Sequence, residues 1–127
     1  MNKHVAVILG GWSAEREVSL SSGRECAKAL REKGYKVTEI DANRDLAHQL
    51  AAIDPKPDVI FNALHGRWGE DGAVQGLLEI INIPYTHSGV RASAIAMDKM
   101  SAKAMFAEYE IPCARHVWVT REDIASG

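Results

Sequence analysis

The sequence predicts an α/β domain built in three layers, a parallel sheet flanked by helices on both faces. Three observations carry that expectation. Short Val/Ile-rich runs alternate with stretches whose apolar residues recur at i, i+3, i+4 and i+7. Each strand-plus-helix unit takes about 25 to 30 residues, enough for a crossover between parallel strands. The strand runs are apolar on consecutive positions, as in strands covered from both sides.

The elements follow in order. Residues 4–9 form a first strand, ended by Gly10 and Gly11. Gly23, Cys26, Ala27 and Leu30 then share one helical face, with Ser22 and Glu25 spaced as a capping box and Gly34 as the stop. A second strand spans 36–41. A short helix over 45–53 halts before Pro55, and Pro57 leads into a third apolar strand at 58–64. Val74, Leu77, Leu78 and Ile81 mark the next helix. Residues 83–86 give a short fourth strand, 92–109 a helical stretch broken near Asp98, and 116–120 a last strand. Thr120 and Asp123 then open a further helix, so the sequence is expected to belong to a longer protein.

Composition narrows the function classes. The 127 residues are 46% hydrophobic and 25% charged, with a formal net charge of −2, the balance of a soluble globular domain. That charge offers no basic face for nucleic acid and no polybasic membrane arm. No apolar run approaches the length of a membrane span, and the N-terminus reads as a strand rather than a signal peptide. Cys26 and Cys113 stand far apart without metal-ligand spacing, as reduced cytoplasmic thiols in packing roles do. No His pair or His/Cys cluster argues for a metal.

Ligands of such folds bind at the carboxyl ends of the strands. Three polar, glycine-rich segments fall there: 10–19, 65–72 and 87–90. The first, "GGWSAEREVSLSSG", lacks the G-x-G-x-x-G spacing of a dinucleotide site, and Glu15 stands where a phosphate would need close backbone approach. A carboxylate there suits a cationic group such as an amine, or serves as a first-turn helix acid; spacing leaves both open. In the second, "ALHGRWGEDG", His65 ends a buried strand, where an imidazole can hydrogen-bond a carboxylate or move a proton. Glu70 can orient it, Asp71 starts the next helix, and Trp68 is a loop hydrophobe over the cleft. Lys99, near the helix break, reads from spacing alone as a solvated helix lysine. Ser88 reads as a turn residue; no Ser lies in a nucleophile elbow.

The strings "ILGGWSAEREVSLSSG", "ALHGRWGEDGAVQGLLE" and "IPYTHSGVRASAIAMDK" together resemble the N-terminal third of the D-alanine–D-alanine ligases, in order and in register. The H-G-x-x-G-E-D-G-x-[aliphatic]-Q-G string is highly specific to that family. The resemblance implies an ATP-grasp enzyme. Residues 1–97 would be its Rossmann-like substrate-binding domain, and 98–127 the opening helix and strand of the ATP-grasp region. It implies a cytoplasmic homodimer that uses ATP and magnesium to join two D-alanines, through an acyl phosphate, for peptidoglycan precursors. Glu15 would contact the ammonium of the first D-alanine, Val18 line the pocket for its methyl group, and His65 lie beside that substrate. Glu70 would support the site, and Lys99 would approach the ATP phosphates.

The family's magnesium ligands, its intermediate-stabilising Arg and the Ser/Tyr partners of Glu15 fall outside this sequence. The 127 residues alone are therefore expected to be inactive, with an apolar face over 92–106 where further domains would pack. A D-alanine–D-lactate ligase stays open as an alternative. A receiver-like binding module is disfavoured because the strand ends offer glycine and His65 in place of an acidic cluster. A nucleotide-linked oxidoreductase is disfavoured by the failed glycine fingerprint.

Overall fold

A computed structural model of the chain describes residues 3–126. It contains strands β1 (His4–Gly10), β2 (Lys36–Ala42) and β3 (Val59–Asn62). Its helices are α1 (Arg16–Glu32), α2 (Leu46–Ala51), α3 (Ala73–Ile80), α4 (Val90–Met97), α5 (Lys99–Glu108) and α6 (Arg121–Ser126). The strands are parallel in the order β2-β1-β3, with Val5 aligned to Val37 on one side and to Val59 on the other. This is the α/β parallel sheet the sequence predicts.

β1 lies at the centre and is buried at every residue. Successive side chains of a strand point to opposite faces, so β1 feeds two cores. Ala6 and Ile8 join Ile40, Leu50, Ile60 and Leu78 on the face that α2 and α3 cover. Val5, Val7 and Leu9 join Leu20, Ala27 and Ala63 under α1. Helices on both faces follow from this split.

α1 begins earlier than the sequence pattern suggests. Its first residue is Arg16, so Ser22 and Glu25 sit in its interior and form no capping box. Ser22 Oγ instead donates back to the Val18 carbonyl at 2.9 Å. The helix lies unusually close to the sheet at Gly23, where a Cβ would come within 2.5 Å of Leu9 Cβ. Ser19 is fully buried and fastens α1 to both neighbouring strands. Its Oγ accepts from Gly10 N at 2.9 Å and donates to Ala63 O at 2.7 Å.

The fourth strand is reduced to an isolated bridge between Ile60 and Tyr85. Ile60 N donates to Pro84 O, and Thr86 N to Ile60 O. Pro84 has no N–H to offer, and the next sheet amide, Asn62 N, bonds the Thr86 side chain, so pairing stops. The last predicted strand, 116–120, is not formed. Val117, Trp118 and Val119 are exposed, and β1, β2 and β3 leave no strand beside them. The break between α4 and α5 falls at Asp98, as predicted; its backbone is extended and its Oδ1 accepts from Ser101 N at 2.7 Å. Thr120 and Asp123 do open α6, bonding each other's backbone amides. Cys26 is half-buried, but Cys113 is exposed and has no packing role. Among the described residues, no helix is long and apolar enough to cross a membrane.

Candidate functional site

The loops following β1 and β3 meet at the carboxyl end of the sheet. Ser13 Oγ joins them, donating to the His65 carbonyl at 2.9 Å and accepting from Glu15 N at 3.1 Å. Glu15 caps the start of α1 with its backbone and leaves its side chain free of any cap bond. That carboxylate lies against Gly66, where a Cβ would collide with Glu15 Oε2. Gly66 also has φ +69°, a conformation that favours glycine. The two glycine-rich segments are thus in contact through Glu15.

The 65–72 loop is held from within. Glu70 Oε2 accepts from Gly66 N at 2.6 Å, and Glu70 N donates to Gly66 O. Asn62 Nδ2 and Gln75 Nε2, both buried, each donate to Gly69 O at 2.8 Å. Asn62 Oδ1 accepts from Leu64 N. Asp71 Oδ1 accepts from Ala73 N, the first residue of α3, the helix-starting role its position suggests. A buried polar group needs such partners, because leaving one unpaired costs about 1–3 kcal/mol. The third segment joins through His87, whose Nε2 donates to the Asn62 carbonyl at 3.0 Å.

His65 is half-buried, and its Nε2 lies 2.9 Å from Ser22 Oγ on α1. It borders a cavity of about 530 Å³ together with Glu70, Gln75, His87, Ser93 and Met97. On the far side of the first loop, Arg16 holds Asp41 with two 2.6 Å bonds and also donates to Gly11 O. The Arg16 hydrogen bond keeps the Asp41 carboxyl below its ordinary range. Trp12 and Trp68 lie 6.1 Å apart between ring centres, with Arg44 over both.

Three of the sequence-predicted residues are therefore brought together: Glu15, His65 and Glu70. Glu70 acts on the backbone of its own loop, with Gly66 N as its partner, and not on His65. Of the three, His65 and Glu70 border the cavity and Glu15 stands beside it on Gly66; Val18, 59% exposed on α1, and Lys99, exposed at the first position of α5, do not border it. The sequence pattern gave no individual site role to Ser13, Asn62 or Gln75, and it marked Ser22 as a helix cap. Asn62 and Gln75 carried a signal, each a polar side chain inside an otherwise apolar strand or helix face. Ser22 carried none, since its partner lies 43 residues away.

A family model described as "D-ala D-ala ligase N-terminus" matches residues 42–88. A D-alanine–D-alanine ligase of Parvibaculum lavamentivorans is 66% identical over 125 residues, 98% of this chain and 40% of that protein. The chain belongs to the D-alanine–D-alanine ligase family, to its N-terminal part. A family member from Azorhizobium caulinodans is 59% identical over all 127 residues, again 41% of the relative. The chain thus spans about two fifths of the length of these relatives. Among solved structures, a D-alanine–D-alanine ligase from Aeromonas hydrophila aligns with TM-score 0.83 at 26% identity, covering 98% of this chain and 54% of that one. One from Bacillus anthracis complexed with ATP aligns with TM-score 0.74 at 30% identity, covering 98% and 44%.

Proposed function

We propose that this chain supplies one wall of the D-alanine site in an ATP-dependent ligase that joins two D-alanines into D-alanyl-D-alanine. The acyl-phosphate route, the supply of peptidoglycan precursors, the cytoplasmic setting and the homodimer belong to the same proposal. One observation carries it. The Glu15 carboxylate rests on Gly66, in the loop whose neighbour His65 borders the cavity. A carboxylate is the natural partner of an ammonium, and a strand-end imidazole beside it can accept from the same ammonium or, once protonated, donate to the carboxylate of a small zwitterion. Val18 lies one turn before Ser22 on α1, and in this reading its exposed side chain meets the substrate methyl group. Glu70 keeps the loop in shape.

ATP and magnesium are assigned to the ligase as a whole; in this reading the chain contributes Lys99 toward the ATP phosphates and does not by itself complete the site. No three His, Cys, Asp or Glu side chains gather among the described residues to hold a metal ion. Lys99 is one exposed cation, whereas phosphoryl transfer needs metal charge and several positioned donors. The 127 residues alone are therefore proposed to be inactive; D-alanine-dependent ADP release from them would overturn that part.

Binding is tested separately, by titrating the isotope-labelled chain with D-alanine and following amide signals. Shifts should centre on Glu15, His65 and Gly66, should be weaker with L-alanine, and should vanish in Glu15→Gln. Equal responses to both enantiomers, or shifts confined to α4–α6, would sink the proposal.

A further inference from the structure

We infer that Ser22 is a positioning residue that fixes the proton of His65 on Nε2 and leaves Nδ1 as a bare acceptor. Ser22 has one hydroxyl proton and two short contacts that compete for it. Ser22 Oγ lies 2.9 Å from the Val18 carbonyl oxygen and 2.9 Å from His65 Nε2. The carbonyl can only accept. If Ser22 donated to the ring, its oxygen would face the Val18 oxygen at 2.9 Å with no hydrogen between them, lone pair against lone pair. Both contacts are hydrogen bonds only if Ser22 donates to Val18 O and His65 Nε2–H donates to Ser22 Oγ.

The remaining nitrogen, Nδ1, has no hydrogen-bond partner among the described residues, while the ring borders the cavity. The local scaffold supports a fixed ring. The His65 carbonyl is tied to Ser13, and Ser22 sits mid-helix in α1, which Ser19 fastens to the sheet. A neutral His65 held in this way accepts a hydrogen bond from a ligand N–H. It donates to a carboxylate only once it becomes an imidazolium. This extends the D-alanine reading and takes from it the identity of the ligand: the ammonium is the group that a bare Nδ1 suits.

The tautomer is measured without any ligand, so its failure and that of the D-alanine reading are separable. Nitrogen-15 spectra of histidine-labelled chain, at a pH above the imidazole range, distinguish a protonated ring nitrogen from a bare one. The wild type should show Nε2–H as the major form. Ser22→Ala should shift the tautomer ratio toward Nδ1–H by about fivefold, the equilibrium factor of one ordinary hydrogen bond. Ser22→Thr, which keeps the hydroxyl, should restore the wild-type ratio. A purely structural Ser22 would leave that ratio unmoved. A major Nδ1–H form in the wild type would overturn the inference. So would an unchanged ratio in Ser22→Ala with the other amide signals in place. If Ser22→Ala does not fold, the wild-type and Ser22→Thr spectra decide it.

Discussion

From β1 to Ile83, side chains are buried on both faces of a sheet; from Val90 onward, only Ser93 and Ala102 are buried among the described residues. The two regions are not told apart by their apolar residues. The second carries Met97, Met100, Phe106, Tyr109, Ile111, Val117, Trp118 and Ile124, all exposed. The first region has a central strand that offers two faces to three helices. The second has helices in series and no sheet beneath them; α4 touches the first region at Gly72 and across the cavity, while local bonds at Asp98 and Thr120 start α5 and α6. An apolar side chain stabilises a fold only where something covers it. Within 92–106, Met97, Met100 and Phe106 are exposed.

The comparison breaks most sharply under cavity-forming substitutions. Leu78, fully buried between α3 and the sheet, should cost about 2–5 kcal/mol when changed to Ala. Ile124, 71% exposed on α6, should cost no more than about 0.5 kcal/mol. Urea unfolding of both variants checks this; similar costs would mean that the second region has a core of its own. Ser19→Ala comes next. It leaves Gly10 N and Ala63 O without a partner inside the fold, at about 2 kcal/mol or more. If that variant unfolds with the wild type, the buried hydroxyl is not what joins α1 to the sheet.

A third test sharpens the comparison at the site. Gly66→Ala should cost about 1 kcal/mol or more through its left-handed backbone and push the Glu15 carboxylate off the loop. D-alanine-induced shifts at Glu15 should then weaken, while the β1 signals stay in place. Unweakened shifts would mean that the contact between Glu15 and Gly66 does not shape the site.

The sheet was legible because β1 is covered on both sides, so its apolar run is nearly continuous. α3 was legible because one face of it packs at helical spacing. The start of α1 was not: its buried early residue is Ser19 while Val18 is exposed, the reverse of the usual pattern. Strand 116–120 was misread because an apolar run can mark a strand or a surface awaiting cover, and only a neighbouring strand separates the two. At the site, the placement of Glu15 and His65 at the carboxyl end of the sheet was readable from their position after a strand, while spacing left the role of Glu15 open. The hydroxyls that hold them, Ser13 and Ser22, act across more than forty residues, and no local spacing encodes that.

The smallest effect concerns acid. Asp98 and Asp123 both titrate below the ordinary aspartate range, chiefly because each accepts a backbone hydrogen bond, from Ser101 N and Thr120 N respectively. A carboxyl with a lowered folded value contributes stability that is present above its unfolded value, near 3.9, and is lost as pH falls through the folded one. The α5 and α6 starts should therefore loosen below about pH 4; Asp41 on β2, lowered by its bond from Arg16, adds a like loss at the edge of the first region, while the apolar side chains of the two-faced core do not titrate. In an amide titration, the Ser101 signal should move with a midpoint below that of an ordinary aspartate, and the Thr120 signal should do the same. Asp98→Asn keeps a capping side chain without the charge, so it should abolish the Ser101 midpoint and leave that of Thr120 unchanged. A Ser101 midpoint that survives in Asp98→Asn would show that another group sets it. β1 amides beyond His4, whose own N–H bonds Asp58, that open with the Ser101 midpoint in the wild type but not in Asp98→Asn would show that the two regions are coupled rather than separately held.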